Sequence, residues 1–184
     1  MILDILIYPD KRLKTVCTEV TDFGDDFQKT IEDMFETMYA APGIGLAAIQ
    51  VGIFKRFLVM DVGIVEGETV HPDPKVLVNP KIVSKSGEIV WEEGCLSCPT
   101  LVVPMIRAQT IHIQALDRFG KPQSFEAQDL MAVCIQHEID HLDGLLIADR
   151  LSRLDQEFYT KKLKSLEKQQ GRDSEATLRR PIVR

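Results

Sequence analysis

The sequence predicts an α+β fold: antiparallel β-sheets packed around a central metal-binding helix, with a further N-terminal helix and a C-terminal helix. Three observations carry this. Apolar residues recur at helical spacing over 25–40, short β-branched runs broken by turn residues fill 55–128, and two helical segments follow at 129–142 and 152–169.

The first helix places Phe27, Ile31, Met34, Phe35 and Met38 on one face; Asp22 or Asp25 is positioned to cap it and Pro42-Gly43 to end it. The next segment, Gly43 to Gln50, is too glycine-rich at its start for a regular element. Strands are expected at Arg56–Met60, Val76–Asn79, Glu88–Glu92, Leu101–Ile106, Thr110–Ala115 and Gln123–Ala127. Residues 117–122 form a hairpin turn between the last two. Helix 129–142 ends at Asp143-Gly144. The final helix has a broken stripe of Leu151, Leu154, Phe158, Leu163 and Leu166, and Gly171 closes it. One catalytic domain over 1–170 with a disordered tail over 171–184 is the expected organisation.

At 184 residues, 45% apolar and 27% charged, the chain has the composition of an ordinary globular domain with a proper core. Its apolar stretches run only a few residues, so none spans a bilayer. A basic segment followed by an apolar stretch is missing at the start, which makes the cytoplasm the default address. Four cysteines in that compartment are expected reduced, as core residues or metal ligands. Charge is uneven: residues 150–184 carry 10 Lys+Arg against 5 Asp+Glu, leaving 12 against 23 for residues 1–149. A basic end on an acidic body suits an acidic partner such as a ribosomal surface; the alternative is a solvated helix with a frayed end. Neither a membrane nor a specific nucleic-acid sequence is an expected partner.

The chemistry concentrates in His137-Glu138-Ile139-Asp140-His141. Residues four apart share a helix face, so His137 and His141 can grip one ion, and Glu138 can reach the ion's water without being a ligand. A third ligand is then required. None of the four histidines lies downstream, and the downstream glutamates Glu157, Glu167 and Glu175 lie in the charged end. Upstream, Cys95 stands beside Gly94, which permits close backbone approach. A Cys/His/His set with an open fourth position is a catalytic arrangement. Cys98 offers a competing closed Cys₂His₂ site, against which stand the 38 intervening residues and a Glu138 left without work.

Three segments, Gly43–Gln50, Glu93-Gly94-Cys95-Leu96-Ser97 and Gln136–Gly144, resemble in order and separation the signature motifs of the peptide deformylases. The likeness covers about residues 1–168, and the long last helix is similar to that of a bacterial class. Cys98 departs from it, since an aliphatic residue more often precedes the proline. The resemblance implies removal of the N-terminal formyl group from new formyl-methionyl polypeptides, with Fe²⁺ as metal and Zn²⁺, Ni²⁺ or Co²⁺ as substitutes. It further implies that the Leu96 N–H and the Gln50 amide stabilise the oxyanion; read alone, Gln50 is a surface residue ending a turn.

Helical spacing aligns Leu130, Val133 and Cys134 with His137, as a slot for a methionine side chain or as plain core. Gly43, Ile44 and Gly45 leave backbone free to pair with an extended peptide. Arg107 is assigned to the peptide backbone or to Glu93. Glu92 and Glu93 read as strand-end charges, with Glu93 orienting the cysteine loop as the alternative. Two rivals remain: a metallopeptidase cleaving internal bonds, and a zinc-stabilised module that binds ribosome or nucleic acid.

Overall fold

The computed structural model describes residues 1–170; the expectations for 171–184 and for Gly171 lie outside them. Three α-helices are present among them: α1 (Asp25–Ala40), α2 (Asp129–Leu142) and α3 (Arg153–Gln170). The strands are β1 (Gly45–Ala47), β2 (Phe57–Met60), β3 (Ile64–Glu66), β4 (Thr69–His71), β5 (Lys75–Ser86), β6 (Ile89–Cys95), β7 (Cys98–Arg107), β8 (Thr110–Leu116) and β9 (Pro122–Gln128). A five-stranded sheet runs β1-β2-β5-β8-β9, and β3–β4 and β6–β7 are separate hairpins, all antiparallel.

α2 is central, with nearly all of its side chains buried, polar ones included. Ala132 through Glu138 are buried without a break, as are Ile139, His141 and Leu142. In α2, Ala132, Ile135 and Leu142 pack with Leu58, Leu77, Ile111 and Ile113 of the main sheet. On other sheet residues, α1 buries Ile31, Met34 and Met38 against Phe57, Val59 and Val78. The β6–β7 hairpin packs Val103 and Met105 with Ile147, Tyr159 and Leu163 in a separate cluster. Each such side chain contributes about 1.5–3 kcal/mol on burial. Gln136 ties α2 down: its Oε1 accepts the Ala108 N–H at 3.1 Å and its Nε2 donates to the Ala108 carbonyl at 2.9 Å.

Several expectations need correction. Gly24, not Asp22 or Asp25, stands at the N-cap of α1; the Asp22 carboxylate accepts the Gly24 N–H instead. Gly43–Gln50 is regular in part, as β1 followed by a 3₁₀ turn over Ala48–Val51. The stripe on α3 is turned: Leu154 and Phe158 are each 61% exposed, and Tyr159 and Leu163 are the buried pair. Tyr159 wins because its ring stacks on Tyr8 and its hydroxyl donates to the Pro99 carbonyl. The β3–β4 hairpin escaped sequence reading because every residue in it is exposed, leaving no inward alternation.

Candidate active site and metal centre

Two elements build the site. One face of α2 carries His137, Glu138 and His141, and the turn end of the β6–β7 hairpin carries Cys95. His141 Nε2 lies 3.1 Å from His137 Nε2 and 3.2 Å from Cys95 Sγ. The three donor atoms all fall within 4.8 Å of one another. The two shorter separations are close to the edge, roughly 3.4 Å, of a tetrahedron with bonds of about 2.1 Å. Two imidazole nitrogens and a thiol converging on one point, with carboxylates set back from it, fit a divalent ion that takes N and S ligands. Cys98 is buried nearby but does not join this donor cluster.

Electrostatics follow from burial. Desolvation holds the Cys95 thiol well above its ordinary value, helped by Cys98 and Glu138, so a nearby cation is what would favour its thiolate. His141 is held well below the ordinary imidazole value by burial and by the charges of His137 and Arg107. His137 moves upward: burial opposes this, but the Glu93 hydrogen bond and the Glu138 and Glu93 charges outweigh it. Glu138 is pushed up to about 7 by burial, opposed by His137 and by the Ala47 N–H. A carboxyl poised there can both take and return a proton near neutrality. Its Oε2 is buried and has no hydrogen-bond partner among the described residues.

Behind the donors lies a chain of buried charge. Glu93 Oε2 meets His137 Nδ1 at 2.7 Å, so Nε2 is the nitrogen free to face the ion. Arg107 donates to both Glu93 oxygens, from Nε at 2.6 Å and Nη2 at 2.9 Å, and through Nη1 to Asp140 at 2.6 Å. Burial raises the Glu93 carboxyl, yet these two partners bring it below its usual value. Of the two assignments for Arg107, the geometry therefore matches Glu93: the guanidinium sits behind the ligands and does not line the groove in front of them. Glu93 is not a strand-end charge but 4% exposed. Strand parity could have found it, because Trp91, Glu93 and Cys95 alternate onto the same face of β6.

The groove in front of the cluster holds a cavity of ≈ 50 Å³. Gly43, Ile44, Gly45, Gln50, Gly94, Leu96, Leu130, Val133 and Cys134 all line it with Cys95, His137 and Glu138; Glu92 and Glu93, read from sequence as strand-end charges, line it too, and Trp91 is the lining residue that sequence reasoning passed over. Gln50 is buried rather than a surface turn residue. Its Oε1 accepts the Ala47 N–H at 2.8 Å, which leaves Nε2 to point at Ser97 Oγ (3.1 Å) and Cys95 Sγ (3.7 Å). Gly45 is required by the base: a Cβ there would stand 2.5 Å from Glu138 Oε1 and 2.9 Å from Cys134 Sγ. At Gly43 a Cβ would meet Leu96 Cδ1 at 2.8 Å.

An α+β fold whose buried helix carries two imidazoles and a carboxylate, completed by a thiol from a strand hairpin, defines the class of metal-dependent hydrolases. The family model for polypeptide deformylase matches residues 2–157. The chain is 49% identical over 168 residues to a peptide deformylase of Chromobacterium violaceum, covering 91% of this chain and 98% of that one. It is similar to the solved peptide deformylase of Legionella pneumophila (TM-score 0.83, 43% identity, 94% of this chain and 99% of that chain). The Ehrlichia chaffeensis enzyme solved in complex with actinonin gives TM-score 0.83 and 42% identity over 90% of this chain and 98% of that one. This chain belongs to the polypeptide deformylase family.

Proposed function

We infer that the chain hydrolyses the formyl group from N-formylmethionyl peptides, with Cys95, His137 and His141 as ligands of one divalent metal ion and Glu138 as general base and acid. The observation that carries the assignment is the Glu138 carboxylate, buried beside the three donors with Oε2 unpartnered. When bound, the ion would lower the pKa of a water from ~15.7 toward ~7 and polarise the formyl carbonyl. Fe²⁺ is the proposed metal, with Zn²⁺, Ni²⁺ or Co²⁺ as substitutes.

Glu138 accepts the proton of the attacking water through its free oxygen and returns it to the departing amine. A carboxyl near pKa 7 serves both directions. Gln50, with its oxygen held by Ala47 and one N–H on Ser97, would turn its other N–H from the long 3.7 Å contact with Cys95 to the oxygen of the formyl group, beside the backbone N–H of Leu96. One such donor is typically worth about 10²–10³ in rate. β1 is an edge strand, paired with β2 on one side only. Its free edge, starting at Gly45 just after Ile44, would take the peptide as an added strand. Leu130, Val133 and Cys134 then supply an apolar slot for the methionine side chain.

Among the described residues no helix is long and apolar enough to cross a membrane. We place the enzyme in the cytoplasm, where nascent chains emerge. The exposed Lys161, Lys162 and Lys164 of α3 are the described part of the basic end proposed to meet the ribosome. Arg107 is proposed to act through Glu93, not on substrate.

Glu138→Ala tests the reading. Formate release from a formyl-methionyl peptide should fall by at least about 10³ with the metal content retained. Turnover within tenfold of the parent enzyme would remove Glu138 from the chemistry.

A further inference from the structure

Hydrolysis leaves the thiol beside Cys95 without a role. β6 and β7 are joined by the two-residue turn Leu96-Ser97, and Cys95 and Cys98 are direct partners across it. Opposed strand residues have Cα atoms about 4.5–5.5 Å apart, inside the 4.4–6.8 Å span of a disulfide. Both thiols are free and buried. Access to them is unequal: Cys95 lines the groove, whereas Cys98 does not and is 1% exposed within the cluster around Tyr159 and Leu163. An oxidant entering the groove therefore meets Cys95 first, with Cys98 waiting behind it. Cys134, the other thiol in the groove, points elsewhere and donates to the Ile44 carbonyl at 3.7 Å.

We propose that Cys95 and Cys98 form a reversible oxidation site, at which a peroxide converts the metal-binding thiol into a disulfide and removes the sulfur donor. The metal half of this rests on Cys95 being a ligand. In the first step the Cys95 sulfur attacks a peroxide oxygen. The O–O bond breaks, Cys95 becomes a sulfenic acid, and the departing oxygen leaves as water once protonated. In the second, the Cys98 sulfur attacks the Cys95 sulfur. The S–S bond forms, the S–O bond breaks, and the hydroxyl leaves with the Cys98 proton as a second water. Two thiols lose two electrons and one hydrogen peroxide becomes two waters. A dithiol reductant reverses the change by exchange, oxidising itself. A disulfide sulfur carries no thiolate charge, so only two imidazoles remain as donors. Without Cys98, the same peroxide would drive Cys95 on to sulfinic and sulfonic acids, which a dithiol does not reduce.

The experiment treats metal-loaded full-length protein with hydrogen peroxide, removes the excess, unfolds it in an alkylating agent and weighs its peptides. The segment holding Cys95 and Cys98 should lose two hydrogens while Cys17 and Cys134 stay alkylated. One metal ion should reach a chromogenic chelator per disulfide formed, and dithiothreitol should restore both thiols and metal binding. In Cys98→Ala, peroxide should leave Cys95 over-oxidised and metal binding unrecovered after dithiothreitol. Over-oxidised Cys95 beside an alkylatable Cys98 in the parent protein would overturn the proposal, as would full recovery in Cys98→Ala. Should that variant not fold, the parent's peptide masses decide alone. A disulfide that forms without metal release would overturn the ligand reading of Cys95 separately from the thiol chemistry.

Discussion

Glu93→Gln separates the work that Glu93 does for the metal from the work it does for the fold. Its two oxygens accept three donors: Arg107 Nε at Oε1, and Arg107 Nη2 and His137 Nδ1 at Oε2. A glutamine of the same shape has one acceptor oxygen. The least costly orientation keeps that oxygen between His137 and Nη2 and turns the NH₂ toward Nε, losing one charge-assisted hydrogen bond worth about 1.5–3 kcal/mol. Arg107 also loses half its neutralisation while 7% exposed, and stripping a partner from a buried ion pair costs roughly 3–5 kcal/mol. Because Asp140 still holds Nη1, the lower figure applies, and the metal-free protein should lose about 3 kcal/mol in urea unfolding. The metal effect is distinct. Neutral glutamine no longer raises the basicity of His137, and loss of such an outer partner typically weakens metal binding about 10–100-fold. Titration against a competing chelator measures it. Metal affinity within twofold of the parent, alongside the expected stability loss, would refute the positioning role and leave Glu93 as the counter-ion of Arg107.

Two further perturbations probe other parts of the molecule. Gly45→Ala puts a methyl group 2.5 Å from Glu138 Oε1, so the carboxylate must move; a displacement of about 1 Å can cost about 10² in kcat with metal content unchanged. Steady-state kinetics with metal analysis checks this, and an unaltered kcat would show that the placement of the carboxylate is immaterial to turnover. Asp61 accepts the Tyr39 hydroxyl at 2.6 Å and the N–H groups of Gly63 (3.0 Å) and Asp73 (2.8 Å), and although burial raises its carboxyl, these bonds hold it below the usual value. A depressed folded pKa means that its stabilisation is present above the unfolded carboxylate pKa and is lost as pH falls through the folded one. Asp61→Asn should therefore flatten the acid side of the stability profile, and an acid limb as steep as the parent's would contradict this.

What could be read in the sequence was what is local. His137, Glu138 and His141 lie within one and a half helical turns, so backbone geometry alone fixes their common face. Cys95 is 42 residues from His137, and a glycine beside a thiol was enough to nominate it but not to say what stands next to it. Its neighbours depend on strand register and on which face of β6 meets α2. The sequence offered Glu93 to Arg107 as one of two partners; the antiparallel alignment of β6 and β7 selects it and Asp140 arrives from the helix as an unforeseen third member. Periodicity misled on α3 because apolar spacing does not say which residues find a partner; Tyr8 and Pro99, more than fifty residues away, selected Tyr159 over Phe158. Gly45 shows the limit most clearly. The sequence marked it as a place where backbone is left free for a peptide. The structure adds that the space its Cβ would fill is already occupied by Glu138 Oε1, so the glycine is set by the general base as much as by the substrate. A residue can thus be recognised as small from the sequence, while the reason lies on an element more than ninety residues away.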